Sequence, residues 1–305
     1  MTNKILVTGG HGFIGKYFIQ MAIEEGFTIL SLDRQRDANP LTEQLIGELE
    51  NCDVLSETLR KFQPDNILHL ASQSSIQSSW LNPGLTISKN LETTRNLVIS
   101  VKNMPNSPKL INVSSSSVYA RKSSGKLKET DLVGPDNPYS VSKFASELVM
   151  AELHSVLTVR PFFIIGPGKT GDVISDWCEQ IVELESMNDS ASLSLIAGNL
   201  DIVKDFLPVT SAAQGLFRLM VDGTPGEIYN LCSGQGFLLR NILEVIRSLS
   251  KVQFTVAENS HEKARKNDRL EVVGDPTKLL NLGFQPSFQL QEILEDTLNW
   301  HRTKR

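Results

Sequence analysis

Cysteine is scarce in this chain. Among 305 residues there are three, Cys52, Cys178 and Cys232, far apart and odd in number. No Cys-x-x-Cys pair or Cys/His cluster accompanies them, so neither a disulfide framework nor a metal-ligand spacing is present, and a reducing, cytoplasmic setting is expected. Long hydrophobic runs are missing too. The first, Ile5 to Val7, is ended by Thr8, Gly9 and Gly10, far short of a signal-peptide core, and nothing approaches the roughly 18 apolar residues of a membrane span. No membrane association is expected. Charge of one sign is also lacking: Lys plus Arg is 30 against 35 for Asp plus Glu, a net of -5 with no block of like charge. Such a surface offers no footprint for a phosphate backbone, so nucleic acid is not an expected partner.

What the chain does have is an ordinary globular composition, 40% apolar and 21% charged, with length for one large α/β unit or two domains. Up to about residue 160, short apolar runs alternate with segments of helical period, the pattern of βαβ units feeding a parallel sheet. Lys4 to Thr8, Thr28 to Asp33, Asn66 to Ala71, Lys109 to Ser114 and Leu157 to Arg160 read as strands. Phe13 to Glu25, Pro83 to about Met104 and Tyr139 to about Leu153 read as helices. Past Gly166 the regularity weakens; Gly226 to Leu231 reads as a strand, and Arg240 to Leu249 and Leu290 to His301 as helices. The expected fold is α/β, a doubly wound parallel sheet over residues 1–166 with a smaller mixed C-terminal lobe over 167–305, some of which crosses back.

The segment Thr8-Gly9-Gly10-His11-Gly12-Phe13-Ile14-Gly15 joins the first strand to the first helix. Glycine suits positions 9, 12 and 15 because the turn needs unusual dihedrals, a pyrophosphate must approach bare backbone, and the helix must sit close on the strand. The helix N-terminus then offers free N–H groups to negative charge. The second strand ends at Asp33, where a dinucleotide fold places a carboxylate on the adenosine ribose. That carboxylate favours NAD over NADP, whereas Arg34 and Arg36 beside it could accept a 2'-phosphate. Asp53 and Val54 either border the adenine or sit in a solvated turn, and Leu70 and Ala71 close the third strand towards the same crevice.

After the fourth strand come Ser114 to Ser117 and Val118-Tyr119, then Asn137-Pro138-Tyr139-Ser140-Val141-Ser142-Lys143. Tyr139 and Lys143 are four apart and share a helix face. An ammonium beside a phenol can bring its pKa down, and a phenol so tuned exchanges a proton with a carbonyl or alcohol oxygen while hydride moves to or from a nicotinamide. Ser115, at a strand's C-terminal end, could hydrogen-bond the same oxygen. A chance Tyr/Lys pairing on a surface helix is the bland alternative.

With these motifs on hand the chain resembles the extended short-chain dehydrogenase/reductase family along nearly its whole length. The likeness rests on the glycine segment, His69-Leu70-Ala71, Ser114 to Tyr119, Tyr139 to Lys143 and Arg160-Pro161-Phe162. It implies a Rossmann-type fold, NAD (or NADP) as cofactor, and Ser115, Tyr139 and Lys143 as catalytic residues, with Lys143 also on the nicotinamide ribose. Asn90 matches a family asparagine near the active site. Dehydratases of the family carry an acid just after the active hydroxyl; Ser116 and Ser117 stand there instead, so hydride exchange at C4 is expected rather than dehydration. The branch most similar reduces GDP-linked 4-keto-6-deoxy sugars. It implies a nucleotide-sugar substrate, contacts from Ser74, Ser115, Ser116, Asn90 and Phe163, and cations at Lys204 and Arg265 for the diphosphate. Phe163 stands where relatives usually carry asparagine. Family likeness also implies a homodimer through two helices. Alternatives are a nucleotide-sugar 4-epimerase and a redox-sensing dinucleotide binder.

Overall fold

The computed structural model describes residues 3–37, 41–47, 49–122, 125–187, 193–258, 269–286 and 289–304. Its centre is a parallel sheet with strands β1 (Lys4–Thr8), β2 (Thr28–Asp33), β3 (Glu43–Ile46), β4 (Asn66–His69), β5 (Lys109–Val113) and β6 (Val156–Pro161). A seventh strand, Ile228–Leu231, returns from the C-terminal half and pairs with β6. The order across the sheet is 228–231, β6, β5, β4, β1, β2, β3. The chain reverses direction of growth between β1 and β4, and in sheets of this kind the crevice at that reversal is where ligands bind.

Both faces of the sheet are covered, which explains why its strands read as unbroken apolar runs. Ile5, Val7, Leu68, Ile111, Leu157 and Val159 face one way, packing with Phe18, Ile19 and Ala22 of helix α1 (Phe13–Glu24) and with Ala212, Leu216 and Leu219 of the helix Val209–Asp222. Leu6, Leu32, Ile67 and Leu110 face the other way. There they meet α2 (Cys52–Phe62) and α4 (Pro83–Lys102) through Leu55, Leu59, Leu97 and Val101, and α5 (Pro138–Met150) through Met150. A short helix α3 (Ile76–Leu81) leads into α4. The helices α4 and α5 lie together across a buried polar seam in which Asn90 donates to the Ser142 hydroxyl at 2.9 Å and Thr94 to Ser146 at 3.0 Å.

A separate core lies beyond the sheet's edge, built from Trp177, Ile181, Leu195, Phe206, Ile242 and Leu294 among others. Sequence periodicity located β1 and β2 and placed α1, α4 and α5 to within three residues, but it missed β3, α2, α3 and the helices Val173–Glu185 and Val209–Asp222. The strand Glu43–Ile46 has only two apolar residues and none is fully buried, so it carries no hydrophobic signal.

Candidate active site

The glycine turn follows from sterics. Gly9 has φ +75°, and a Cβ there would sit 2.8 Å from the Ala71 backbone nitrogen. A Cβ at Gly15 would lie 2.6 Å from the Gly10 carbonyl oxygen. Gly12 caps α1 without any side-chain bond to its first amides, and no acidic residue occupies the first turn. Uncapped N–H groups and bare backbone therefore face a concavity suited to a diphosphate, with Phe13 and Ile14 at its lip.

This concavity is one end of a cleft of about 1130 Å³ along the C-terminal ends of β1, β2, β4, β5 and β6. Of the residues expected to hold a coenzyme, Gly9, Gly12, Phe13, Ile14, Gly15, Asp33, Arg34, Leu70, Ala71, Tyr139 and Lys143 all line it. Asp53 and Val54 do not. They lie in the first turn of α2, where the Asn51 side chain accepts from both of their amides. The unforeseen strand β3 is the reason: its end delivers Gly47, Leu49 and Glu50 to the cleft in their place.

Tyr139 is positioned by a capping box. Asn137 accepts from the Ser140 amide at 2.9 Å while the Ser140 hydroxyl takes the Asn137 amide at 3.1 Å, and Pro138 occupies the first turn. A turn further on, Lys143 reaches across to β5 and donates to the Val113 carbonyl at 2.8 Å, its Nζ 6.0 Å from the Tyr139 ring centre. Ser115, next to the end of β5, hydrogen-bonds with Tyr139 and accepts from the Ser117 amide and hydroxyl at 3.2 and 2.9 Å. The serine, tyrosine and lysine are thus brought together in the cleft, beside Gln73, Ser74 and Asn90. Asn90 accepts from the Gln73 amide at 2.7 Å and donates to the Gln73 carbonyl at 3.1 Å, so it holds the loop after β4 against α5.

The electrostatics differ from expectation. Burial pushes the Tyr139 phenol up to about 12, with the Ser115 hydrogen bond pulling the other way. Burial also brings Lys143 down to about 8, opposed by Glu147. Within the protein itself the lysine does not acidify the tyrosine, because both groups are stripped of water and desolvation of a charged form outweighs a distant partner. His69, at the end of β4 and bonded with Thr8 at 2.8 Å, is lowered to about 3 by burial and then by Lys143.

Three expected substrate residues do not line the cleft. Ser116 is buried in a short 3₁₀ turn away from the cleft. Phe163 and Lys204 come together, the Lys204 ammonium 4.3 Å from the ring centre, yet neither lines the cleft. Arg265 falls outside the described residues. Conversely, His11, Lys89, Thr93 and Lys169 line the cleft without having been foreseen. Lys89 neighbours Asn90 on α4 and could have been inferred from helix geometry; Lys169 comes from a loop of the second lobe and had no local signal.

A model of the NAD dependent epimerase/dehydratase family matches residues 5–232. The chain belongs to this family. Its coenzyme is NAD(P), and the glycine cradle, the uncapped helix end and Asp33 fit that group. The chain is 28% identical to GDP-6-deoxy-D-mannose reductase of Pseudomonas aeruginosa, over 98% of this chain and 97% of that protein. It is 29% identical to GDP-6-deoxy-D-talose 4-dehydrogenase of Aggregatibacter actinomycetemcomitans, over 96% of each. The structure of RMD from Pseudomonas aeruginosa complexed with NADPH superposes with a TM-score of 0.86 at 27% identity, covering 100% of this chain and 99% of that one. Tyr139, Ser115 and Lys143 line the same cleft as the glycine turn and Asp33.

Proposed function

We propose that this member of the family is a reductase of a GDP-linked 4-keto-6-deoxyhexose. The observation that carries the reading is a buried, protonated Tyr139 hydrogen-bonded with Ser115 at the inner end of a coenzyme-sized cleft. When bound, the nicotinamide coenzyme supplies hydride. Tyr139, with its proton firmly held at neutral pH, is set to donate to an oxygen that gains charge at C4. Ser115 offers that oxygen a second hydrogen bond, which strengthens as charge develops. Lys143, anchored on Val113, supplies positive charge beside the phenol and a donor for the coenzyme's ribose. Both relatives above are named for GDP-6-deoxyhexose oxidoreduction, which supports the substrate class.

The chain division is part of the same proposal: residues 1–166 for the coenzyme, 167–305 for the substrate, with 209–231 returning to the sheet. So is a cytoplasmic homodimer through α4 and α5, where Ile99, Val141 and Leu148 are exposed. Among the described residues no helix is long and apolar enough to cross a membrane. Incubation of the purified chain with GDP-4-keto-6-deoxymannose and reduced coenzyme tests the activity. Reductase action consumes coenzyme in proportion to sugar; an isomerised sugar without net consumption establishes a 4-epimerase instead.

A further inference from the structure

Asp33 does not stand alone at the end of β2. Its Oδ1 accepts from the His11 amide at 3.0 Å, and its Oδ2 takes the Ser31 hydroxyl. The His11 ring lies against the same carboxylate, Nε2 3.5 Å from Oδ2, while Nδ1 is 2.9 Å from the Gln35 carbonyl oxygen. A carbonyl oxygen only accepts, so Nδ1 is the protonated nitrogen. A neutral imidazole in that tautomer has a bare Nε2 whose lone pair faces a carboxylate oxygen. An imidazolium would present an N–H at each end and a positive charge to Asp33. As the groups stand, Nε2 is buried 3.5 Å from Oδ2 without a hydrogen-bond partner, a polar atom aimed at the acid that ends β2.

The surrounding charges bear on the coenzyme's adenosine ribose. Arg34 and Arg36 line the same wall of the cleft, and Lys16 is tied to Asp37 at 2.7 Å. A carboxylate in this position favours a ribose with a free 2'-hydroxyl, and a guanidinium favours a 2'-phosphate. Here both are present, so the balance depends on whether Asp33 is compensated.

We propose that His11 decides between the two coenzymes: charged, it neutralises Asp33 and lets Arg34 and Arg36 accept the 2'-phosphate of NADP(H); neutral, it leaves Asp33 to select NAD(H). The inference rests on the coenzyme lying along the glycine turn. It adds a residue of the turn itself to the discrimination, in contact with the acid that ends β2.

Equilibrium fluorescence titration of the intact chain with NADPH and with NADH, at about pH 6 and about pH 8, tests it, because imidazoles change charge between those limits. The preference for NADPH over NADH should strengthen roughly tenfold towards the lower pH in the wild type. His11→Gln should lose most of that strengthening. The phosphate monoester's own ionisation near pH 6 opposes the effect and is common to both proteins, so their difference isolates His11. Asp33→Asn removes the charge to be compensated, and should favour NADPH at the higher pH with a response there matching His11→Gln in its insensitivity. Equal pH responses in wild type and His11→Gln, or an unchanged preference in Asp33→Asn, overturn the proposal. Failure of the wild type to bind either coenzyme overturns the coenzyme site beneath it as well.

Discussion

The Lys143 ammonium donates to the Val113 carbonyl at 2.8 Å, pinning the helix that carries Tyr139 to the C-terminal end of β5. This bond ties the helix turn that carries Tyr139 to the strand end next to Ser115. Replacing Tyr139 by Phe should lower kcat by a factor of about 100 to 10,000 while coenzyme affinity and melting temperature stay near wild type. Ser115→Ala should cost about 10- to 100-fold. Steady-state kinetics with a matched thermal melt check both; undiminished turnover in Tyr139→Phe would remove the proposed mechanism.

His69 titrates near 3 in the folded chain and near the ordinary 6.5 unfolded. Its folded pKa is the lower one, so below about pH 6.5 the unfolded state binds the extra proton and stability falls with pH until about 3. Near pH 4.5 the loss attributable to this group is about 3 kcal/mol. Urea unfolding at neutral and acid pH should show His69→Gln losing less stability than wild type over that interval.

Gly15→Ala places a methyl against the Gly10 carbonyl, which neither backbone can yield without moving the turn. The expected cost is about 1–3 kcal/mol in unfolding free energy, with coenzyme affinity reduced. Gly26→Ala, whose Cβ would meet nothing within 4 Å, is a control for backbone strain without the clash, since its φ is +83°.

The Glu147 carboxylate takes both the Nε and Nη2 of Arg160, at 3.0 and 2.7 Å, and the pair is almost wholly buried. Removing Glu147 alone, as Glu147→Ala, should destabilise by about 3–5 kcal/mol because a guanidinium is left without its counter-charge. Glu147→Leu combined with Arg160→Met should recover much of this. A double-mutant cycle in denaturant reads the coupling directly.

For the proposed dimer, Leu148→Glu on the exposed side of α5 should shift the chain to monomer in sedimentation experiments. An unchanged mass, or a monomeric wild type, would dispose of that interface.

Much of the coenzyme end is written locally. Strand, turn and helix start occupy twelve consecutive residues from Lys4 to Gly15, and the steric demands on Gly12 and Gly15 come from within that turn, whereas Gly9 answers to its own positive φ and to the distant Ala71 backbone. Tyr139 and Lys143 are likewise one helical turn apart, and a capping residue two before Tyr139 sets the helix start. The rest of the cleft was less legible. Glu50 reaches the cleft because an almost polar strand adds itself to the sheet's edge, and Lys169 because a loop from the second lobe crosses over α1.

The amino-acid sequence by itself determined the doubly wound sheet and the serine, tyrosine and lysine, since these rest on periodicity and spacing within single elements. Only the tertiary structure decided their electrostatics and the far wall of the cleft. Burial that raises the Tyr139 phenol, and the meeting of His11 with Asp33, are set by how much water the packed elements exclude and which distant groups they bring within a few ångströms, quantities that no local pattern encodes.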